Sequence, residues 1–195
     1  MTKGEDTKRT ILEYAASLAS RIGLEALTIG RLAEDLDMSK SGVFAHFGSK
    51  EALQLAVIEH AEQSFLDLVV RPAFQSAPGE PRLEGLFMHW LKWVKSTQFE
   101  GGCLFVKATT QYDDQPGVIR DYLVAVQKRW VDGLAEAARR AVAVGHFRRD
   151  LDPEQFAFEF YSILVGYHNM RRLLSEPRAD SFVADTFRKL LDRSH

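Results

Sequence analysis

The 195-residue sequence contains a single cysteine, Cys103. One cysteine excludes an intrachain disulfide and a thiolate-rich zinc site. The absence of disulfides is typical of proteins in a reducing compartment. No stretch approaches the roughly 18 uninterrupted apolar residues of a membrane span, and the first residues lack the apolar core of a signal peptide. We therefore expect a cytoplasmic protein that is not bound to a membrane.

The sequence also lacks an excess of charge of either sign, because 25 Lys and Arg residues face 27 Asp and Glu residues for a formal net charge of -2. The charge of the whole chain therefore does not indicate nucleic-acid binding, and any DNA contact must come from a local patch. We expect neither a metal nor another cofactor, because metal-ligand spacing is absent among the histidines at positions 46, 60, 89, 146, 168 and 195.

Signals for β-strands are scarce, and apolar residues mostly recur at spacings of three and four, so the sequence predicts an all-α fold. Gly23 has the position of a left-handed helix C-terminal cap, and Thr28 and Ser39 have the positions of N-caps for two short helices. Gly48 should end the second of these, and Ser49 should cap a fourth helix. Three to four helices thus form a compact N-terminal domain.

Prolines and glycines punctuate the rest of the chain. The segment from Arg71 to Pro81 is the most loop-like, so we place the joint between two domains there or just before it. The predicted domains are residues 5–65 and 82–195, the second being all-helical as well. Its helices are expected at about 83–99, 103–111, 118–144, 153–174 and 180–191.

The two short helices, joined by a turn of three or four residues, have the dimensions of a helix-turn-helix unit. In such a unit the second helix enters the major groove of DNA, which is about 12 Å wide. From Met38 to Ser49 the sequence has no carboxylate, whereas Lys40 and Lys50 supply positive charge at either side. This local patch is basic within a nearly neutral chain, although a lysine taken alone is usually just a solvated charge.

Residues 7–65 resemble the DNA-binding domain of the TetR (tetracycline repressor) family. The similarity is close in Thr28-Ile29-Gly30-Arg31-Leu32-Ala33 and in the segment from Ser39 to Leu53, where Phe44-Ala45-His46-Phe47 is followed by Lys50-Glu51. The resemblance implies a ligand-responsive repressor that binds double-stranded DNA at a palindromic operator as a homodimer and is released by a small molecule.

By this resemblance Thr28, Phe44 and Lys50 fall where the family contacts the DNA backbone. Position 44 is usually tyrosine in the family, so Phe44 keeps the ring and loses a hydroxyl that bonds a phosphate, which predicts modestly lower affinity. Few long side chains remain to read bases, and Phe47 is expected in the core. The positions expected on or beside the reading helix are Ser39, Lys40, Ser41, Gly42, Ala45 and His46.

In the family the last two helices form the dimer as a four-helix bundle, and here they correspond to residues 152–174 and 180–191. Each carries an apolar stripe, which could face either a partner subunit or the core of its own subunit. The stripe residues are Phe156, Phe160, Ile163, Leu164 and Tyr167 on the first helix and Phe182, Val183, Phe187 and Leu190 on the second.

The C-terminal part of the sequence is rich in large aromatic side chains, which would suit a small hydrophobic or aromatic effector. Each of these side chains could equally be ordinary core. The residues that we single out as effector-binding candidates are Phe87, Trp90, Cys103, Phe105, Trp130 and Tyr161.

Two other functions compete with that of a DNA-binding regulator. An enzyme could use Cys103 as a nucleophile with His89 or His168 as the base, although no nucleophile elbow, P-loop or dinucleotide fingerprint supports it. Cys103 could also be an oxidation sensor or an inert buried thiol. A helical scaffold without DNA affinity is the second rival, and a salt titration of binding to duplex DNA separates it from a DNA-binding protein.

Overall fold

The computed structural model describes residues 3–195, with side chains from residue 4 onward. It contains no β-strand in this range, so the predicted all-α fold is confirmed. The helices are α1 (Lys3–Ile22), α2 (Ile29–Asp35), α3 (Lys40–Phe47), α4 (Lys50–Phe65), α5 (Arg71–Ala73), α6 (Glu80–Val94), α7 (Leu104–Tyr112), α8 (Val118–Ala143), α9 (Pro153–Arg172) and α10 (Ala179–Asp192).

The predicted N-caps of the short helices are confirmed, because each side-chain oxygen accepts a hydrogen bond from a backbone N–H three residues later. Thr28 accepts from Arg31 at 3.1 Å, and Ser39 accepts from Gly42 at 3.0 Å. Ser49 caps α4 in the same way. These bonds satisfy N–H groups that have no partner within the helix.

The structure corrects the expectation of a long loop from Arg71 to Pro81. The chain continues from α4 through a π-helical turn, Leu66–Val70, into α5, and the loop comprises only residues 74–79. Pro72 has no N–H to donate within the helix, and the wider π turn before it accommodates the missing bond. Pro81 lies in the first turn of α6, where a missing N–H leaves no helix bond unmade.

The expected helix over 83–99 is also shorter than its apolar pattern indicates. α6 ends at Val94, and a separate 3-10 turn, Thr97–Phe99, follows it. The other expected helices of the second domain match α7 to α10 to within one or two residues at most of their ends.

The chain divides into two compact units. The first contains the described residues up to Phe65 together with Val94–Ala125, and the second contains Leu66–Trp93 and Val126–His195. The core of the first unit is formed by apolar residues of α1 to α4, such as Ile11, Leu32 and Val57, which are all inaccessible to solvent. The expected functional domains, 5–65 and 82–195, stay a prediction.

Aromatic side chains dominate the core of the second unit. Phe87 of α6 and Phe187 of α10 are stacked, with ring centroids 4.0 Å apart, and Phe160 of α9 lies 4.8 Å from Phe187. Tyr167 donates a hydrogen bond to Asp180 at 2.7 Å, which ties α9 to α10. Burial, assisted by this carboxylate, raises the pKa of Tyr167 well above its usual value.

Candidate nucleic-acid interface

The third helix presents one side to the core and the other to solvent. Val43 is its one buried residue and anchors the inner side. On the outer side Lys40, Ser41 and Ala45 are exposed, whereas Gly42 and His46 are half-buried. The capping residue Ser39 and Lys50, the first residue of α4, are exposed as well. The positions expected on or beside the reading helix therefore lie on α3 or at its N-cap, and their DNA contacts stay a prediction.

The helix is also held at both of its ends. The hydroxyl oxygens of Ser39 and Ser41 lie 3.3 Å apart, so Ser41 joins the N-terminal cap. At the other end Gly48 adopts a left-handed conformation with φ 74° and donates its N–H to the carbonyl of Phe44 at 2.8 Å. Glycine adopts this conformation at no steric cost, so the chain turns directly into α4.

The two phenylalanines of α3 have different surroundings. Phe44 is 52% exposed, which is unusual for a large apolar side chain and leaves its ring accessible to a DNA backbone. Phe47 is half-buried, and the ammonium of Lys8 lies 5.7 Å from its ring centroid. The sequence predicts Phe47 in the core, and it gives no signal for the contact with Lys8 because the two positions are far apart in the sequence.

The backbone at the end of α1 lies in close contact with the backbone of the segment before α7. A Cβ atom on Gly101 would lie 1.7 Å from the carbonyl oxygen of Ser20, so no other residue fits there without a backbone shift. Gly101 donates its N–H to the Ser20 hydroxyl at 2.9 Å, and Arg21 pairs with Glu100 at 2.8 Å. The ammonium of Lys107 donates to the Arg21 carbonyl at 2.7 Å. This contact holds α1, which packs against α4 in the same unit.

Gln111 of α7 completes the contact at the turn between α1 and α2. Its side-chain oxygen accepts hydrogen bonds from the backbone N–H groups of Leu24 and Glu25, at 3.1 and 3.3 Å. The carbonyl of Leu24 accepts another from the buried Gln54 of α4 at 2.9 Å. The turn that leads into Thr28 and α2 is therefore fixed by side chains from two other helices.

Two titratable side chains lie between the helices of this unit. Burial raises the pKa of Tyr14 in α1, and a hydrogen bond with Asp35 of α2 adds to the rise. Burial lowers the pKa of His60 in α4, while the carboxylate of Glu13 acts in the opposite direction. The Nε2 atom of His60 is buried and has no hydrogen-bond partner among the described residues.

The six effector-binding candidates belong to both units. Phe87 and Trp90 are buried in the aromatic core of the second unit, where Trp90 contacts Tyr167 edge to face at 6.1 Å. Trp130 and Tyr161 are half-buried in the same unit, and the Tyr161 hydroxyl accepts a hydrogen bond from Gln127 at 3.3 Å. The other two, Cys103 and Phe105, belong to the first unit, and their role, like that of the other four, stays a prediction.

An open cavity of about 370 Å³ lies within the first unit, and none of these six candidates lines it. Lys50 and Gln54 of α4 form one wall, and Tyr112 and Arg120 contribute to the other. Burial raises the pKa of Tyr112, and the nearby carboxylate of Glu25 raises it further.

The thiol of Cys103 is only 3% exposed.

In the part of the chain that the structure describes, no group of three or more His, Cys, Asp and Glu residues could hold a metal ion. None of the helices over residues 3–195 is long and apolar enough to cross a membrane.

The apolar stripes of α9 and α10 pack mainly into their own unit. Phe156, Phe160, Leu164 and Tyr167 of α9 are each at most 4% exposed, and only Ile163 of that stripe is half-buried. On α10 the side chains of Val183, Phe187 and Leu190 are buried as well, whereas Phe182 is 42% exposed. Of the two interpretations left open by the periodicity, the core therefore accounts for most of the stripe.

Comparison with known proteins identifies the family. A family model described as bacterial regulatory proteins, tetR family, matches residues 11–57, and a model described as tetracyclin repressor-like, C-terminal domain, matches residues 79–187. The chain therefore belongs to the TetR family, whose members are DNA-binding transcriptional regulators, and the resemblance noted in the sequence is confirmed.

Two named regulators are similar to the chain in sequence. The transcriptional regulator TcmR of Streptomyces glaucescens is 31% identical over 123 residues, which cover 60% of this chain and 52% of TcmR, about half of its length. The transcriptional repressor KstR2 of Mycobacterium tuberculosis is 27% identical over 148 residues, covering 73% of this chain and 70% of KstR2.

Solved structures show the same fold. A TetR regulator from Chloroflexus aurantiacus superposes with a TM-score of 0.86 at 20% identity, covering 98% of this chain and 96% of the other. AibR, solved in complex with isovaleryl coenzyme A and operator DNA, superposes with a TM-score of 0.71 at 27% identity, covering 90% and 95%.

Proposed function

We propose that the chain is a cytoplasmic, ligand-responsive transcriptional repressor that binds a palindromic operator as a homodimer. The observation that carries this proposal is the outer side of α3, where capped, carboxylate-free sequence leaves Lys40, Ser41 and Ala45 exposed between Ser39 and Lys50. An exposed helix with small polar side chains and a flanking ammonium at each end can enter a major groove and contact phosphates beside it. The relatives named as regulators and repressors support the same role.

The homodimer would use the outer faces of α9 and α10. Phe158, Ser162 and Gly166 form an exposed stripe along α9, which continues to Leu173 directly after the helix. Phe158 is 62% and Leu173 78% exposed, and Phe182 of α10 is exposed too. Small residues beside exposed aromatic ones allow a partner helix to approach closely and to bury apolar area, as a self-complementary two-fold interface requires.

The effector would be a small molecule with a hydrophobic or aromatic part. Trp130 and Tyr161 combine partial burial with polar atoms, which suits contact with such a ligand better than the stacked Phe87 does. The acyl chain of the isovaleryl coenzyme A bound by AibR is a hydrophobic group of this kind. The ligand would release DNA by favouring an arrangement of the reading helices that no longer matches the groove spacing.

Selection of bound duplexes from a random pool tests this proposal, followed by sedimentation of the complex. We expect a near-palindrome whose half-sites lie about one helical turn, roughly 34 Å, or a multiple of it apart, bound by an even number of chains. Phe158→Asp should yield monomers and weaken operator binding, whereas Met88→Asp, at an exposed apolar position of α6, should not. An asymmetric site bound by a single chain would contradict the proposal.

Competition with short acyl thioesters and aromatic acids then tests the effector class. We expect at least one hydrophobic or aromatic ligand to lower the fraction of bound operator, and Tyr161→Ala to weaken its effect. Release caused only by hydrophilic molecules would refute the proposed ligand chemistry.

A further inference from the structure

The cations of the first four helices fall into two groups. Among the side chains described there, every arginine pairs with a carboxylate, whereas no lysine has a carboxylate of the described residues within ion-pair distance. The arginine pairs are Arg9 with Asp6 at 3.1 Å, Arg21 with Glu100 at 2.8 Å and Arg31 with Asp35 at 3.5 Å, and the lysines are Lys8, Lys40 and Lys50.

Two of these three lysines, Lys40 and Lys50, already belong to the candidate interface. An ammonium paired with a carboxylate is partly neutralised and attracts a phosphate less strongly, so lysines that contact DNA should lack such partners. The arginine charges of these helices are therefore partly offset by carboxylates of the protein, whereas no described carboxylate offsets the three lysines.

Lys8 lies in the first half of α1, outside the helix-turn-helix segment. Its ammonium is 5.7 Å from the ring centroid of Phe47, the last residue of α3, and the Phe47 ring lies 6.2 Å from that of His46. A cation over an aromatic face is attracted to it, which directs the side chain toward the C-terminal end of α3. Since an ammonium has three N–H donors, the contact with the ring leaves donors available for a phosphate.

We propose that Lys8 contacts the DNA backbone and extends the interface from α3 and the start of α4 to α1. This inference rests on the proposed binding of an operator, because Lys8 would contact phosphates beside the groove that α3 enters. Phe47 then has a second role besides packing, since its ring orients the ammonium. Arg9, the next residue in the chain, is held by Asp6 and Glu13 on its own helix and takes no part in DNA binding.

The test compares Lys8→Ala with Arg9→Ala in the full chain, using an operator selected from a random pool and an unrelated duplex of the same length. For Lys8→Ala we expect about threefold to fivefold weaker binding to both duplexes near 0.15 M salt. The slope of log affinity against log salt should fall in magnitude by about 0.9 for each bound protomer. Arg9→Ala should change neither quantity, and Lys8→Arg should restore both.

Lys8→Met separates charge from packing, because methionine keeps an apolar side chain over Phe47 but has no ammonium. We expect it to behave like Lys8→Ala in the salt titration and to unfold at the temperature of the parent protein. If Lys8→Met binds DNA as the parent does, or if Lys8→Ala leaves the salt slope unchanged while the parent binds normally, the inference is wrong. Absence of DNA binding by the parent would instead contradict the proposed function.

Discussion

The outer side of α3 and the contact between α1 and α7 belong to the same unit, yet their polar groups are used in opposite ways. At the α1–α7 contact Ser20, Arg21 and Gln111 all have partners within the chain. On α3 and beside it, Lys40 and Lys50 have no carboxylate partner among the described residues. Polar groups that are satisfied internally fix the structure, and those left unsatisfied are available to a binding partner.

The largest expected effect concerns the contact between α1 and α7, where the polar groups have partners within the chain. Gly101→Ala places a Cβ atom 1.7 Å from the Ser20 carbonyl oxygen, which only a backbone shift can relieve. We expect a loss of about 3 kcal/mol in the free energy of unfolding, measured by urea titration.

Gly133→Ala is the matched control for that substitution. Gly133 lies within α8, and a Cβ atom there would have no neighbour within 4 Å, so alanine should stabilise the helix by up to about 1 kcal/mol. Equal effects of the two substitutions would show that the close approach at Gly101 does not exist in solution.

A smaller effect, on DNA affinity, is expected at Phe44 on the outer side of α3. The ring is 52% exposed, so Phe44→Tyr adds a hydroxyl that reaches solvent or a phosphate without disturbing the core. We expect a gain in DNA affinity of about 1 kcal/mol, roughly fivefold, on operator and unrelated duplexes alike. Fluorescence anisotropy with both duplexes measures it, and unchanged affinity would mean that position 44 does not face the backbone.

The smallest expected effect concerns pH and His60. Burial lowers its pKa in the folded state, so the unfolded chain takes up the proton at a higher pH than the folded protein does. The folded state is therefore progressively disfavoured as the pH falls below about 6.5, the usual pKa of histidine. His60→Gln should reduce the loss of unfolding free energy between pH 7.5 and 5.5.

Part of that loss should remain in the His60→Gln variant, because burial also lowers the pKa of His89. An identical loss in the parent and in His60→Gln would contradict the assignment to His60.

Local features of the fold could be predicted from the sequence. The caps at Thr28, Ser39 and Ser49 follow from residue types, since each hydroxyl bonds a backbone N–H only three positions away. The helix-turn-helix and its exposed side follow from the same short spacing. The start of α9 depends on residue types in the same way, because Asp152 precedes Pro153 and its carboxylate accepts hydrogen bonds from two backbone N–H groups.

Contacts between distant positions could not be predicted in this way. Gly101 and Ser20 are 81 positions apart, and Gln111 bonds a residue 87 positions away, so no local pattern encodes either contact. Periodicity showed that α9 has an apolar face but not what covers it, because a core and a partner subunit favour the same residues. Pro72 indicates a loop by its residue type, whereas the π turn that accommodates it depends on the surrounding helix.

The most direct test of the central claim, that the outer side of α3 binds duplex DNA, is a salt titration of operator binding by the parent, Lys40→Ala and Lys50→Ala. Affinity of the parent should fall steeply with salt, and Lys50→Ala should weaken binding to all duplexes alike. Lys40→Ala should also relax base preference, because that side chain lies on the reading helix. A response of the parent that is flat in salt, or identical effects of both variants on base preference, would contradict the account.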